Sequence, residues 1–578
     1  METAAINQQL TDVPGTVKSL TGAEAVILSL LAEGVDLMFG YPGGAIMPIY
    51  DALYDYEDRL RHILVRHEQG AVHAAQGYAR SSGKVGVCLA TSGPGATNLI
   101  TGIADAQIDS TPLVCITGQV ASNLLGTDAF QETDVIGITM PVTKWSFQVT
   151  KAEEIPWAIA RAFYIARSGR PGPVLIDITK DAQFGKLDYS YKKCNYIRSY
   201  QPMPKVNPVK VQEAAELINK AKRPYILTGQ GVLLSGATAE LLALAEKAGI
   251  PVGSTLLGLS SFPADHPLYV GYLGMHGNYG ANIKTNECDV LIAIGMRFDD
   301  RITGDVQQYA KQAKIIHIEI DESEINKIIP VDVAVHADAK EALTMLLGLI
   351  EPAVHDNWLQ GFKACDKMEF DKVIDKEINN SEGMIKMAEV IDMISTKTAG
   401  NAIIVSDVGQ NQMVTSRYFR YLKPNTNITS GGLGTMGFAL PAAIGAKLGR
   451  PDMQVIAVIG DGGFQMTLQE LGTIFQSKVP VKIIILNNQF LGMVRQWQQL
   501  FFEKRYSFTE MTNPDFVAVA KGFYLDASKI DRREDLGAAI DNLLAHEDAF
   551  LLEIIVEKEE NVFPMIPTGA SISKIRLE

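Results

Sequence analysis

Cysteine is scarce in this chain: five residues in 578, at positions 88, 115, 194, 288 and 365, with no CxxC pair and no histidine at metal-binding spacing. That excludes a zinc-finger framework and a disulfide scaffold, and it suits a reducing compartment. Basic residues are also in deficit. Lys and Arg number 52 against 66 Asp and Glu, a net charge of −14, which disfavours nucleic acid and anionic membrane as partners. No apolar run reaches the length of a membrane span. The first twenty residues, METAAINQQLTDVPGTVKSL, lack a charged segment followed by an apolar one and are not Arg-rich, so the expectation is a cytoplasmic protein. The nine histidines form no HExxH pattern, and GxSxG and Walker A motifs are missing, which removes the common metalloprotease, hydrolase and P-loop chemistries.

What the chain does contain is short apolar runs that end in glycine or a polar residue, separated by stretches of helical spacing. From Thr21 to Phe184 these runs are VDLMFGYPGG, HILVRHE, KVGVCLATSGPG, PLVCITG and PVLIDITKD; from Val209 to Pro352 they are PYILTGQG, IPVGSTL, DVLIAIGMRFDD and AKIIHIEID. A third set, NAIIVSDVGQ, NITSGG, QVIAVIGDGG, VKIIILNNQ and AFLLEIIVE, follows Met384. Runs apolar throughout are buried on both faces, as parallel strands are. The expected fold class is therefore α/β, with three doubly wound parallel-sheet domains at residues 18–190, 205–352 and 384–560 and a tail at 561–578. The Tyr-, Lys- and Pro-rich stretch 187–208 and the charged stretch 355–383 read as the boundaries.

Two strand ends carry the strongest chemical signal. Gly460-Asp461-Gly462-Gly463 follows MQVIAVI, and Asn487-Asn488 follows VKIIIL, with GFQMTLQELGTIFQSK at helical spacing between them. Neighbouring carboxyl ends of strands are where open α/β sheets bind ligands. A carboxylate and an amide oxygen there form half of a hard-cation site that phosphate oxygens and water complete, as Mg²⁺ prefers. GDG alone is a common turn; GDG followed by NN resembles the thiamine diphosphate signature. Glu68, after HILVR and before an Ala-rich helix, could simply complement a helix dipole.

Taken together, RHEQGA, TSGPGATN and GDG…NN make the chain resemble the thiamine diphosphate-dependent decarboxylases and synthases over nearly its whole length. FGYPGGAIMPIYDAL, GTDAFQE, LGMHGNYGAN, RFDDRITG, SGGLGTMGFALPAAIGA, NNQFLGMVRQWQ and MIPTGA narrow the resemblance to the large catalytic subunit of acetohydroxyacid (acetolactate) synthases. The resemblance implies that pyruvate is decarboxylated on thiamine diphosphate. Its two-carbon remainder then joins pyruvate, giving 2-acetolactate, or 2-ketobutyrate, giving 2-aceto-2-hydroxybutyrate, on the route to valine, leucine and isoleucine. It implies that Glu68 hydrogen-bonds N1′ of the aminopyrimidine, that Gly44, Gln131 and Lys180 line the reaction pocket, and that Met436 wedges the cofactor into its bent form. Tyr41, Pro42, Pro94, Asn98, Val408, Gly409, Gln410, Asn411, Gly434, Gly460, Gly462, Gly463, Gly492 and Met493 complete the cofactor set, and Asp461, Asn488 and the carbonyl of Phe490 hold Mg²⁺. FAD, in a structural role, would contact Arg170, Gly229, Gly231, Thr255, Leu256, Met275, His276, Gly295, Arg297, Asp299, Arg301, Glu319, Ile320, Asp321, Glu324 and Asp338. Arg301 and Trp497 would select the second 2-ketoacid, through its carboxylate and its alkyl end.

The resemblance further implies a homodimer or a dimer of dimers, because one protomer's first domain and its partner's third build each site, and it allows a regulatory small subunit. Two departures stand near the cofactors. Asn411 replaces a common His and keeps a donor without a charge, and Glu319 replaces a common Asp. Rival readings are a thiamine- and FAD-dependent pyruvate oxidase and a flavin-free catabolic acetolactate synthase, the latter disfavoured by RFDDR and LGMHG.

Overall fold

The computed structural model describes residues 19–578, so the first position of the 18–190 domain and the leader reading lie outside the described residues. Among the described residues three six-stranded sheets follow one another, and every strand pair within them is parallel. The first comprises β1 (Leu37–Gly40), β2 (Arg61–Leu64), β3 (Gly86–Ala90), β4 (Leu113–Gln119), β5 (Trp145–Val149) and β6 (Pro173–Thr179), in the order β2-β1-β3-β4-β6-β5. The second comprises β7 (Pro224–Thr228), β8 (Val252–Ser254), β9 (Tyr269–Tyr272), β10 (Val290–Ile294), β11 (Lys314–Glu319) and β12 (Val333–His336), in the order β9-β8-β7-β10-β11-β12. The third comprises β13 (Ala402–Ser406), β14 (Asn427–Thr429), β15 (Gln454–Gly460), β16 (Lys482–Asn487), β17 (Asp526–Ile530) and β18 (Phe550–Ile555), in the order β14-β13-β15-β16-β18-β17. The α/β expectation is met, and the first and third sheets share one topology.

The strand order reverses between β1 and β3 in the first sheet, between β7 and β10 in the second and between β13 and β15 in the third. The carboxyl-end crevice at such a reversal is the binding place of a doubly wound fold. The segments that leave these strands are Tyr41–Gly44, Thr91–Gly95, Gly229–Gly231, Gly295–Arg297, Asp407–Asn411 and Asp461–Gly463. The motif residues therefore stand at the crevices because the topology puts them there.

Within these three sheets, four strands were not legible as apolar runs: β5, β9, β12 and β17. All four are sheet edges, with partly exposed residues along them. An edge strand is covered on fewer sides, so its sequence need not be apolar throughout. The charged stretch 355–383, read as a boundary, is largely helical: Asp356–Glu369 is α-helix, a π-turn follows at Phe370–Ile374, and helix resumes at Asp375–Ile378. Its apolar face is buried through Trp358 and Phe362, and the Trp358 indole donates to Pro224 O at 2.8 Å.

The described chain forms two compact units, residues up to Pro202 with Gly432–Pro451 and Thr467–Val479, and the remainder. In the first unit, α1 (Glu68–Ser82) crosses α3 (Ala439–Gly449) at close range; α2 (Gln410–Tyr418) lies between them in the chain and belongs to the second unit. A Cβ at Gly77 would lie 1.9 Å from Ala442 O, and one at Gly445 would lie 1.7 Å from Ala74 O. Glycine at both crossing points is what lets these backbones touch. The helical stretch expected between GDG and NN is broken rather than continuous. It runs Asp461–Thr467, then a 3₁₀ turn at Leu468–Glu470, then α4 (Leu471–Ser477). Thr467, whose hydroxyl donates to Gly437 O at 2.9 Å, marks the break.

Candidate active site

In the first unit the predicted pyrimidine-side residues converge. Glu68 is the first residue of α1, and the imidazole Nδ1 of His67 caps that helix by accepting from Gln69 N at 3.2 Å. His67 thus has a structural job. Glu68 is buried, and the Asn98 amide donates to its Oε2 at 3.0 Å. Gly95 packs against the same carboxylate: a Cβ there would meet Glu68 Oε1 at 3.3 Å. Gln131, at φ +60°, lies over Gly93, where a Cβ would meet its carbonyl at 2.9 Å. The Gly43–Ala45 turn closes on Thr91, whose hydroxyl accepts from Ala45 N at 3.2 Å. The helix that opens with Lys180 is tied to that turn by Gln183, which donates to Ala45 O at 2.8 Å. Tyr41, Pro42, Gly44 and Gln131, on loops, and Pro94 and Asn98, on the short helix Pro94–Asn98, therefore converge at the β1/β3 reversal.

A buried network supports this wall. Asp177 in β6 accepts from Thr117 at 2.7 Å, Gln119 at 3.1 Å and Gln148 at 2.9 Å, and Gln119 also donates to Thr133 O, two residues beyond Gln131. Burial pushes the Asp177 carboxyl up to about 6, against these donors. Gly434 and Met436 belong to the same unit, in the segment before α3, where Thr435 donates to Asp105 at 3.0 Å.

The residues expected on the diphosphate side gather in the second unit. Gly409 has φ +145°, a backbone shape that glycine tolerates, and it opens α2. Gln410 Oε1 accepts from Asn488 Nδ2 at 3.2 Å and lies against Gly492, where a Cβ would fall 2.2 Å from it. Gly492 and Met493 begin α5 (Gly492–Phe501). Asn411 differs from the expectation. Its amide donates inward to Asp407 O at 2.8 Å and Val458 O at 3.2 Å, and its Oδ1 faces Gly409 and Gly460. Both amide hydrogens therefore shape the turn, and neither remains to donate to a phosphate.

Asp461 is almost wholly buried, and burial raises its carboxyl to about 6 while the Asn513 amide donates to its Oδ2 at 2.6 Å. Asn513 also donates to Asn487 Oδ1 at 3.0 Å. Asn488 Oδ1 accepts from Phe490 N at 3.1 Å, after Gln489 at φ +56°. A carboxylate whose charge burial opposes more strongly than the Asn513 amide and nearby backbone N–H groups offset suits a cation. Among the described residues no group of three His, Cys, Asp or Glu is clustered, so such a cation would need oxygens from its ligand. The residues fit a metal held jointly with a diphosphate.

The flavin set is split. Arg170 belongs to the first unit, where it donates to Ser110 at 2.9 Å. In the second unit Gly229, Gly231 and Gly295 meet at the β7/β10 reversal; a Cβ at Gly231 would fall 2.6 Å from Gly295 Cα. Met275 Sδ accepts from Arg301 Nη1 at 3.5 Å, and Arg297 approaches Asp299 at 4.0 Å. Several of the carboxylates also cap helices: Asp299 accepts from Arg301 N and Ile302 N, Asp321 from Ser323 N, and Asp338 from Lys340 N and Glu341 N. The Thr255 hydroxyl caps the turn at Leu256. Glu319 accepts from the amides of Ile320 and Asp321 at 2.9 and 3.0 Å. Glu324 pairs with Lys327 at 3.1 Å. His276 is buried, with its Nδ1 unmatched and its imidazole held neutral, near 4, by burial. A glycine-lined crevice with an unmatched buried nitrogen fits a planar polar cofactor.

The tail docks on this crevice. Ile566 N donates to Met275 O at 2.8 Å, Ser571 bridges Gly304, and Ile566, Ile572 and Ile575 enter the core beside Phe298 and Ile302. Arg301 is well exposed, whereas Trp497 packs at a tilt against Phe501 on α5, with ring centroids 5.1 Å apart.

Two features escaped the sequence reading because both depend on distant segments. Arg417, at the far end of α2, forms a buried pair with Glu369 at 2.6 Å and donates to His276 O at 3.4 Å. Asn278 and Tyr279 N also donate to Glu369. Glu470, in the 3₁₀ turn before α4, is buried in the first unit and raised to about 7 by that burial.

Comparison with known proteins agrees with this geometry. Three family models match in series: the thiamine pyrophosphate enzyme N-terminal TPP binding domain at residues 20–138, the central domain at 211–346 and the C-terminal TPP binding domain at 407–554. A probable acetolactate synthase large subunit of Methanocaldococcus jannaschii is 47% identical, covering 96% of this chain and 95% of its own length. The chain belongs to the acetolactate synthase large-subunit family. The Corynebacterium glutamicum acetolactate synthase large subunit is 46% identical over 99% of this chain and 94% of its own. Isozyme 2 of Escherichia coli, also a large subunit, is 44% identical over 96% and 99%. By these matches the first and third sheets belong to thiamine pyrophosphate-binding domains, and all the expected site residues except Arg170 and Lys180 lie within the matched segments.

Proposed function

We propose that the chain is an acetolactate synthase: it decarboxylates pyruvate and joins the two-carbon remainder to a second 2-ketoacid, pyruvate or 2-ketobutyrate, as a step in branched-chain amino acid biosynthesis. The observation that carries this reading is the pair of strand-end constellations, Glu68 with Asn98 at one reversal and Asp461 with Asn488 at another, in a chain of this family. Bound thiamine diphosphate supplies the electron sink for decarboxylation. Glu68, buried and oriented by Asn98, holds a proton at the aminopyrimidine N1′. Asp461, Asn488 and the Phe490 carbonyl hold Mg²⁺ against the diphosphate, with Gln410 and the glycines at 460, 462 and 463 leaving room for it. Arg301 receives the carboxylate of the second ketoacid, a charge-assisted contact of about 1.5–3 kcal/mol. Trp497 presents a ring to its alkyl end. The glycine crevice of the central sheet takes FAD as a structural element, and the net reaction transfers no electrons.

The assembly is a dimer at minimum, each site taking Glu68 from one protomer and Asp461 from its partner, and the relatives' designation as large subunits supports a small regulatory subunit. The protein acts in the cytoplasm, in keeping with its unpaired cysteines; among the described residues no helix is long and apolar enough to cross a membrane. Product analysis tests the reading: with pyruvate and 2-ketobutyrate together, 2-acetolactate and 2-aceto-2-hydroxybutyrate should form without oxygen uptake. Acetyl products formed with stoichiometric oxygen consumption would establish the oxidase instead.

A further inference from the structure

The turn that delivers Glu68 is gripped by a carboxylate 404 positions away from Arg66 in the chain. Glu470 accepts the Arg66 backbone N–H with both oxygens, at 3.1 and 3.2 Å. Its Oε2 also accepts the Thr473 hydroxyl at 2.6 Å, and that hydroxyl lies 3.3 Å from Leu64 O, the last residue of β2. Gly70, on the first turn of α1, makes the approach possible, since a Cβ there would fall 2.5 Å from Glu470 Oε1. The Arg66 guanidinium reaches back to Gly472 O at 3.2 Å and Gln476 Oε1 at 2.6 Å. The segment 470–476 thus holds both sides of Glu68, the exit of β2 before it and the first turn of α1 after it.

A buried group with no exposure and no route to a ligand would ordinarily be packing alone. Glu470 differs in where its charge falls. Its carboxylate lies at the amino end of a 15-residue helix, where a negative group is favoured, and its acceptor oxygens meet a backbone donor two residues before Glu68.

We propose that Glu470 is a positioning residue for Glu68: it fixes the Arg66–Gly70 backbone so that the Glu68 carboxylate meets the cofactor's N1′ in one geometry. This rests on the proposed role of Glu68 as the N1′ partner. A misplacement of about 1 Å in a reacting group can cost a hundredfold in rate. Glu470→Gln keeps the shape but turns one acceptor into a donor facing the Arg66 N–H.

The test uses full-length protein loaded with thiamine diphosphate and Mg²⁺ and follows hydrogen–deuterium exchange at the cofactor's C2, together with thermal unfolding. Glu470→Gln should slow exchange by about tenfold or more at a temperature well below its unfolding midpoint. Glu68→Gln should slow it further, and Glu470→Gln should then add nothing in the Glu68→Gln background, the signature of a residue acting through another. Exchange at the wild-type rate in Glu470→Gln, with Glu68→Gln impaired, overturns the positioning role alone. Equal slowing by Glu470→Gln in both backgrounds overturns it too. Wild-type exchange in Glu68→Gln overturns the reading of Glu68, and the proposal with it. Should Glu470→Gln fail to fold, Thr473→Val removes only one bond to Glu470 and should slow exchange about threefold at unchanged cofactor affinity, in line with one lost hydrogen bond; a wild-type rate there overturns the proposal as well.

Discussion

Asn513 shows how a single amide can orient a proposed metal ligand. Its two amide hydrogens go to Asp461 Oδ2 and Asn487 Oδ1, so it orients the one carboxylate proposed to meet Mg²⁺. Groups of this kind typically contribute ten- to hundredfold in metal affinity. Asn513→Ala should therefore weaken Mg²⁺ by about tenfold in a titration of the thiamine diphosphate-loaded protein, with the fold retained. An unchanged half-saturation would remove Asn513 from the site. His73 makes a second prediction at this scale. It is fully buried in α1, lies 5.2 Å from the Phe438 ring, and is held neutral down to about 3 by that burial, against an ordinary value of 6.5. Its folded value is depressed, so the unfolded chain takes up the proton first. The stability it permits is complete above about pH 6.5 and is lost as pH falls toward 3. By pH 5 the loss is about 2 kcal/mol. Comparing denaturant unfolding of wild type and His73→Gln at pH 7 and pH 5 isolates this from other groups: the wild type should lose about 2 kcal/mol more between the two. Equal losses would mean that the imidazole is protonated in place. Asp461 and Glu68 stand out as candidates in the sequence because each follows an apolar run. Asn513 and Glu470 do not, because what identifies them is a partner 52 or 404 positions away rather than a neighbour in the chain.

Among elements, the α1/α3 crossing most directly connects packing with chemistry, since α1 starts at Glu68. The atoms that a Cβ would strike at Gly77 and Gly445 are backbone carbonyls, which cannot swing aside as a side chain can. Overpacking a core commonly costs about 1–3 kcal/mol, and a rigid obstacle puts Gly445→Ala at or above the top of that range. Gly537, in the helix Arg533–Ala545, has nothing within 4 Å of its added Cβ. Gly537→Ala should be neutral or gain up to about 1 kcal/mol from helix propensity. Unfolding midpoints of the two variants test the pair, and equal midpoints would show that the helices part freely. Elements also explain what the sequence could and could not disclose about the fold. Central strands such as β10 and β16 are buried at every position and announce themselves as unbroken apolar runs. The four unread strands lie at sheet edges, where partial exposure admits Lys, Gln, His and Asp. The break at Thr467 is hidden for a related reason: the spacing around it remains helical, and only tertiary contacts of Thr467 and Glu470 interrupt the helix.

For the whole molecule, the decisive arrangement is that Glu68 and Asp461 stand in different compact units of the chain. The proposed site therefore has two possible origins, one chain closing on itself or two protomers each lending half, and a mixing experiment separates them. Glu68→Gln protein lacks the pyrimidine-side carboxylate but keeps its metal site; Asp461→Asn protein has the opposite defect. If each site draws on two protomers, a mixed dimer holds one site with both defects and one with neither. Random reassortment makes about half of the dimers mixed, and half of the sites in those are intact, so about a quarter of wild-type activity should return. If each chain builds its own site, every site carries one defect, and mixing restores nothing. The experiment requires that protomers exchange, which co-refolding or co-expression of the two variants ensures, and dimers carrying two different tags can be purified to raise the expected recovery to about half. Recovery near these fractions would establish the shared site, whereas activity no greater than that of the separate variants would place Glu68 and Asp461 in the same chain's site, and catalysis would then no longer require an obligate dimer.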